Sequence, residues 1–179
     1  MIRNRRWLLI CVVALLGSCK QSTPPASPPN SFEAESKVVM DYCQLDFDGA
    51  RLASASIEPV FALVTWENEP GWDTTQVVKS FEIGPGKTEG TGALIPVTYK
   101  VLGTVAGEQF EPATEAVEIV QFKVIRVGEV WKIDAPVIIP HVSAPVIRRH
   151  YAELASRNEP GSPREVALSK VVAELGQLK

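Results

Sequence analysis

The sequence predicts an α+β domain, with helices at the start, antiparallel strands in the middle and two further helices at the end. Three observations predict it. Apolar residues recur at helical spacing between Val38 and Ala53, and β-branched and aromatic residues dominate 94–127 ahead of a tight turn. Serine and proline start signals then open two more helical stretches near 143 and 162.

The first nineteen residues form an address. Arg3, Arg5 and Arg6 precede an uncharged run from Trp7 to Leu16, followed by Gly17, Ser18 and Cys19. A basic start, a short apolar run and a small-residue cleavage site describe a secretory signal peptide. The run is about half the roughly 20 residues needed to cross a bilayer. Leu16-Gly17-Ser18-Cys19 resembles the bacterial lipobox. That resemblance implies diacylglycerol on the Cys19 sulfur, removal of residues 1–18 and further acylation, palmitate included, of the new amino terminus. Several acyl chains anchor firmly where one alone is marginal. Lys20, rather than an aspartate, after the cysteine implies the outer membrane if the cell envelope is Gram-negative. The alternative is an ordinary secreted protein with a chance cysteine at the cut.

Removing residues 1–18 takes three arginines and no acid from 18 basic and 21 acidic residues, moving the net charge from −3 to −6. An acidic chain without a long basic run has no global attraction for nucleic acid. Cys11 leaves with the leader and Cys19 is acylated, so Cys43 remains alone and no intramolecular disulfide forms. Its apolar helical setting reads as core packing, with a reactive thiol as the alternative.

Residues 19–30 follow as the lipidated cysteine and a tether, KQSTPPASPPN over 20–30. In a polyproline conformation the tether reaches roughly 34 Å. A first helix is predicted from Asn30, with Glu33 completing a capping pair and Val38, Val39, Tyr42 and Cys43 on its apolar face. Asp48 caps a second helix through Ala50 and Leu52 towards Leu63, with Pro59 as an interior kink. Strands are predicted around 75–83, 94–105, 117–127 and 130–134. Pro96 argues for an edge or a strand start, and Val127-Gly128-Glu129 turns the last two into an antiparallel hairpin. Val120, Phe122 and Val124 share one face of the third strand, with Gln121, Lys123 and Ile125 on the other. Ser143 and Pro145 open a helix bearing Ile147, Tyr151 and Leu154. Ser162-Pro163-Arg164-Glu165 opens the last one, with Leu168, Val171, Val172 and Leu175 as its seam.

Two helices, then antiparallel strands closing on Gly128, Trp131, Ile133 and Asp134, resemble the NTF2-like superfamily, SnoaL-like proteins included. The stretch Val38–Ala53, with its Asp48-Gly49-Ala50 break, carries the same resemblance. It covers about residues 31–142 and leaves 143–179 as a helical extension outside the minimal family fold. The resemblance implies an NTF2-like (cystatin-like) cone: N-terminal helices packed on a curved antiparallel sheet around a conical pocket, with two extra C-terminal helices. Some members catalyse in that pocket, while many bind a ligand or a partner there.

Catalytic and metal motifs are sparse. The chain has two histidines, His141 and His150, and no C-x-x-C, H-E-x-x-H, EF-hand, P-loop or G-x-S-x-G pattern, so no cofactor or metal is implied. An acid or histidine paired with a tyrosine in the cone would draw on Asp41, Tyr42, Tyr99, Asp134 and His141. A pocket or partner surface would draw on Trp66, Trp72, Tyr99, Phe122, Trp131, Asp134 and His141. Trp66-Glu67-Asn68-Glu69-Pro70-Gly71-Trp72 sets two tryptophans around an acidic turn, which suits a protein-binding loop as well as a core rim. Three roles stay open on these residues: a non-catalytic, lipid-anchored domain binding a protein partner or a small apolar ligand; a SnoaL-like enzyme for a small hydrophobic substrate; and a structural component of an envelope assembly.

Overall fold

A computed structural model describes residues 32–114 and 116–178. The leader, Cys19, the tether and Asn30 lie outside the described residues. The first helix, α1, spans Glu33–Phe47, with Phe32 at its N-cap position and no side-chain cap. Its buried stripe is Val38, Val39, Tyr42, Cys43 and Asp46, which is the predicted apolar face extended by one carboxylate. No described helix is long and apolar enough to cross a membrane.

The predicted second helix is instead two fragments. Gly49 takes a positive φ of 86°, ends the helical run and leads into a 3-10 turn, Ala50–Leu52. A Cβ at Gly49 would lie 2.7 Å from Val146 Cγ1, so the close approach to the third helix also requires glycine. A four-residue helix, α2, follows at Glu58–Phe61. Pro59 sits in its first turn, where no amide hydrogen is needed, and not in an interior where it would kink the helix.

Among the described residues seven strands form one curled sheet: β1 (Thr74–Ile83), β2 (Lys87–Glu89), β3 (Gly92–Ala106), β4 (Gln109–Pro112), β5 (Val117–Val127), β6 (Val130–Ala135) and β7 (His141–Ser143). The order is β6-β5-β3-β1-β7, with β2 and β4 also paired to β3. The sheet is mixed rather than wholly antiparallel, because β7 returns parallel to β1, with Gln76 opposite His141. Three short strands, β2, β4 and β7, were not legible as strands. The β5–β6 hairpin is antiparallel, with Val127 opposite Val130.

Pro96 lies inside β3, the central strand, and not at an edge or start. It fits because β1 ends at the level of Val97 and β2 begins at the level of Leu94. The Pro96 carbonyl accepts from Gly84 N in that gap at 2.7 Å. Amide and carbonyl of one strand residue point the same way, so the missing N–H faces the gap and breaks no rung with β5.

Two register slips in the β1–β3 pair, between Val77 and Val78 and between Val78 and Ser80, fall at Leu102 on β3 and Lys79 on β1. Each inserts a residue and reverses which side chains face which way. Before Leu102, the odd residues of β3 face α1. Tyr42, Cys43, Ile95, Val97, Tyr99, Phe122, Val124 and Ile133 fill that core, each at most 1% exposed. After it, Val105 joins Val77, Val142, Ile147, Val171 and Leu175 in a second core on the other face.

That second core explains the C-terminal helices. α3 spans Ala144–Ser156 and α4 spans Pro163–Leu175, and their apolar seams cover the sheet face around Val77 and Val105. The boundary drawn at 142 falls within β7, which runs directly into α3. Ser143 occupies the N-cap position of α3 without a side-chain cap bond. Ser162 caps α4 through Glu165 N, while Glu165 Oε2 accepts from Gly161 N, so the capping box closes one residue early.

Candidate functional site

The side chains with chemistry gather where α1, the 3-10 turn and β7 meet. Asp46 lies one turn beyond Tyr42 on the buried stripe of α1, which drives a carboxylate into the core. Its Oδ2 accepts from Arg51 Nη1 at 3.1 Å and from the backbone N–H of His141 at 2.8 Å. One carboxylate oxygen thus ties the helix end to the turn and to β7. Arg51 also donates to the Ile138 carbonyl at 2.6 Å, and its Nε lies between the Glu69 oxygens at 2.8 and 2.9 Å. Its guanidinium stands 5.7 Å from the Tyr42 ring centre.

The electrostatics follow from burial. Desolvation lifts the Asp46 carboxyl to about 6, with Arg51 and the His141 amide pulling the other way. Burial opposes the charge on Arg51, but Asp46, Tyr42 and Glu69 outweigh it and hold the guanidinium above its usual value. Burial pushes the Cys43 thiol up to about 12, and Tyr42 and Tyr99 also rise well above the phenol range. Tyr42 Oη, Asp46 Oδ1 and Trp66 Nε1 are buried without a hydrogen-bond partner among the described residues.

A second polar patch lies on the same face of the sheet. His141 stacks on Tyr99 with ring centres 4.2 Å apart, and its Nε2 is 3.2 Å from Glu118 Oε2. The hydrogen bond to His141 holds the Glu118 carboxyl below its usual value. The Tyr99 hydroxyl points elsewhere, to Cys43 Sγ at 3.2 Å. Tyr99 and His141 are each 1% exposed, so the pair is adjacent but closed to solvent.

The other predicted residues scatter. Asp41 pairs with Lys37 on the outer surface of α1. Asp134 pairs with Lys123 at 2.8 Å. Phe122 meets Tyr42 edge to face in the first core, and Trp131 packs partly buried against that core. Trp66 also meets Tyr42 edge to face, with ring centres 6.3 Å apart. Among the described residues, no group of three or more histidines, cysteines or carboxylates is placed to hold a metal.

An accessible site lies outside the closed core of the curled sheet. The 66–73 loop is pinned at one end, where Thr65 N donates to the Ile133 carbonyl, and at the other where β1 begins. Glu69 holds its middle down on Arg51 and accepts weakly from Trp72 Nε1 at 3.4 Å. Between this loop, the 3-10 turn and α3 runs a cleft of about 840 Å³. Arg51 and Glu69 lie at its base, and Ile57, Phe61, Trp72 and Tyr151 supply apolar and aromatic wall. Glu67 and Asp73 are exposed at its mouth.

Asp46, Arg51 and Glu118 were not singled out in the sequence, and Glu69 entered only as part of the acidic turn Trp66–Trp72. Arg51 carried the one available signal, a single charge in the small and apolar run Gly49–Ala53. No family model matches the chain, and no curated protein or solved structure is significantly similar to it.

Proposed function

We propose that this chain is a lipid-anchored cell-envelope protein whose NTF2-like domain binds rather than catalyses. Its recognition surface is the cleft under the Trp66–Trp72 loop. The partner is a protein segment presenting basic and apolar side chains. One observation carries the reading: the open cleft combines Trp72, Phe61 and Tyr151 with the exposed acids Glu67 and Asp73, while Tyr99 and His141 are sealed. Aromatic faces beside carboxylates attract cations and exclude competing water. The anchor rests on the lipobox at Leu16–Cys19 and the tether behind it. Lys20 favours the outer membrane where there is one.

A SnoaL-like enzyme would need a reacting group open to substrate, and Asp134 and His141 are held apart from any such arrangement. As assembly elements, α3 and α4 would have only their outer faces to offer.

Two measurements test the proposal. Mass spectrometry of membrane-extracted protein should give an acylated amino terminus at Cys19, absent from Cys19→Ala. A photo-crosslinking residue at position 72 or 54, installed in the native cell, should capture a protein that one at position 130 does not. An unmodified Cys19 removes the anchor. Crosslinks equal at all three positions, or at none, remove the cleft as the recognition surface.

A further inference from the structure

A second concavity, distinct from the cleft, opens between α3, α4 and the sheet, with a volume of about 750 Å³. Small-ligand sites fall in the range of about 300–1,000 Å³. Its walls are apolar: Val78 and Leu102 from the sheet, Val172, Leu175 and Leu178 from the C-terminal end. Among the described residues no carboxylate lines it, although acids outnumber bases in the chain, 21 to 18. The charges at its rim are cationic. Arg148 and Arg149 are exposed on adjacent positions of α3, and neither forms an ion pair among the described residues. Arg148 Nη1 reaches over the end of α4, 3.6 Å from where a Cβ on Gly176 would stand. A cation at a helix C-terminus complements the dipole there, which accounts for the placement of Arg148 alone. Arg148 and Arg149, with Lys79 of β1 as a third cationic side chain, around a largely apolar groove form a different pattern. They match a ligand with one anionic end and a hydrocarbon body.

We propose that this groove binds a single unbranched acyl chain with an anionic head, of the fatty-acid class. The chain lies along Leu102, Val172 and Leu175, and the carboxylate meets Arg148 and Arg149. The site is independent of the cleft and of the partner proposed for it. Both walls come from elements already packed on the sheet, so the groove exists before ligand arrives and little ordering is needed on binding.

The test uses the full-length chain carrying Cys19→Ala, so that no acyl group of its own competes. Dodecanoate is titrated by calorimetry below its micellar concentration, beside dodecyltrimethylammonium, which has the same tail with the opposite charge. Methyl NMR signals of Leu102, Val172 and Leu178 report where the ligand sits. The expected result is saturable one-to-one binding of dodecanoate that shifts those methyls. Affinity should fall at least tenfold for the ammonium and tenfold in the Arg148→Glu/Arg149→Glu variant. Each methylene removed should weaken binding by up to about fourfold. Ala152→Phe, which fills the groove from its exposed rim, should give the same loss with an unchanged circular dichroism spectrum. Equal binding of both head groups would mean detergent partition and would overturn the proposal. So would dodecanoate binding that neither variant alters. Binding to phosphatidylglycerol vesicles without binding to monomeric dodecanoate would assign the arginines to a bilayer surface instead, and would overturn it too.

Discussion

Arg51 Nη1 lies 3.1 Å from Asp46 Oδ2, and neither side chain has any exposed surface. The pair joins residues five apart in sequence, but through the His141 amide and the Ile138 carbonyl it clamps α1 to the strand entering α3. Removing one partner of a buried pair leaves an uncompensated charge. Arg51→Ala should therefore cost about 3–5 kcal/mol, read as a lower urea midpoint with little change in slope. Replacing all three charged partners together, Asp46→Leu/Arg51→Met/Glu69→Gln, should recover much of that loss. A single variant that is neutral would show that the clamp is not holding the fold.

Asp46 also sets a pH dependence. Its carboxyl is about 6 in the folded chain against 3.8 otherwise, because burial disfavours the anion. The folded state binds the proton more tightly, so this contribution is full below about pH 4 and fades as pH rises through about 6. The stability of the native chain relative to Asp46→Asn should fall by about 2 kcal/mol between pH 4 and 7. Glu118 runs the opposite way, since its carboxyl is held down in the folded chain and its contribution is lost as pH falls. Measuring against Asp46→Asn isolates the first slope. A flat difference would mean that the carboxylate is solvated.

The α+β class, α1, the β5–β6 hairpin and the last helix were legible because each carries a local signal. The Val120-Phe122-Val124 alternation and the Ser162–Glu165 cap are properties of neighbouring residues. What failed was non-local. β7 is three residues long and exists only because β1 offers it an open edge, so its periodicity says nothing. The reversal of β3 at Leu102 depends on register with β1, which a single strand cannot show. Arg51 and Glu69 are 18 residues apart and become partners through the loop path. His141 and Tyr99 were both named as candidates, but their stacking needs the parallel pairing of β7.

Cys43 is fully buried, with Sγ 3.2 Å from the Tyr99 hydroxyl and its thiol pushed up to about 12. The thiolate is the reactive form, so two barriers act together. Reaction with a disulfide reagent at pH 8 should run at least about a thousandfold slower than in denaturant, limited by opening of the chain. A background lacking both Cys11 and Cys19 is needed for a clean rate. A comparable native rate would place the thiol at the surface.

Gly103 is covered by β4. A Cβ there would fall 2.5 Å from the Phe110 ring and 2.4 Å from the Glu111 carbonyl. The ring packs, partly buried, against the second core, and the Glu111 carbonyl is backbone, so neither moves away cheaply. Gly103→Ala should cost about 1–3 kcal/mol and speed amide exchange across residues 109–112, leaving β5 protected. Uniform protection would show that β4 adapts without strain.

The last helix offers the sharpest contrast between a fold element and an appendage. Val171 is fully buried and Leu175 is 3% exposed, against Val77, Val105 and Ile147. Deleting residues 160–179 uncovers that apolar face and removes one wall of the acyl-chain groove. Burying several large aliphatic side chains contributes about 1.5–3 kcal/mol each, as an upper estimate. Against a typical total of about 5–15 kcal/mol, their loss should lower the melting temperature steeply or prevent soluble expression. Leu168→Ala and Val171→Ala, measured singly, should give graded losses in the same direction. A truncated chain that stays soluble with the same melting temperature would make α4 a separate attachment, leaving its inner face free for another subunit.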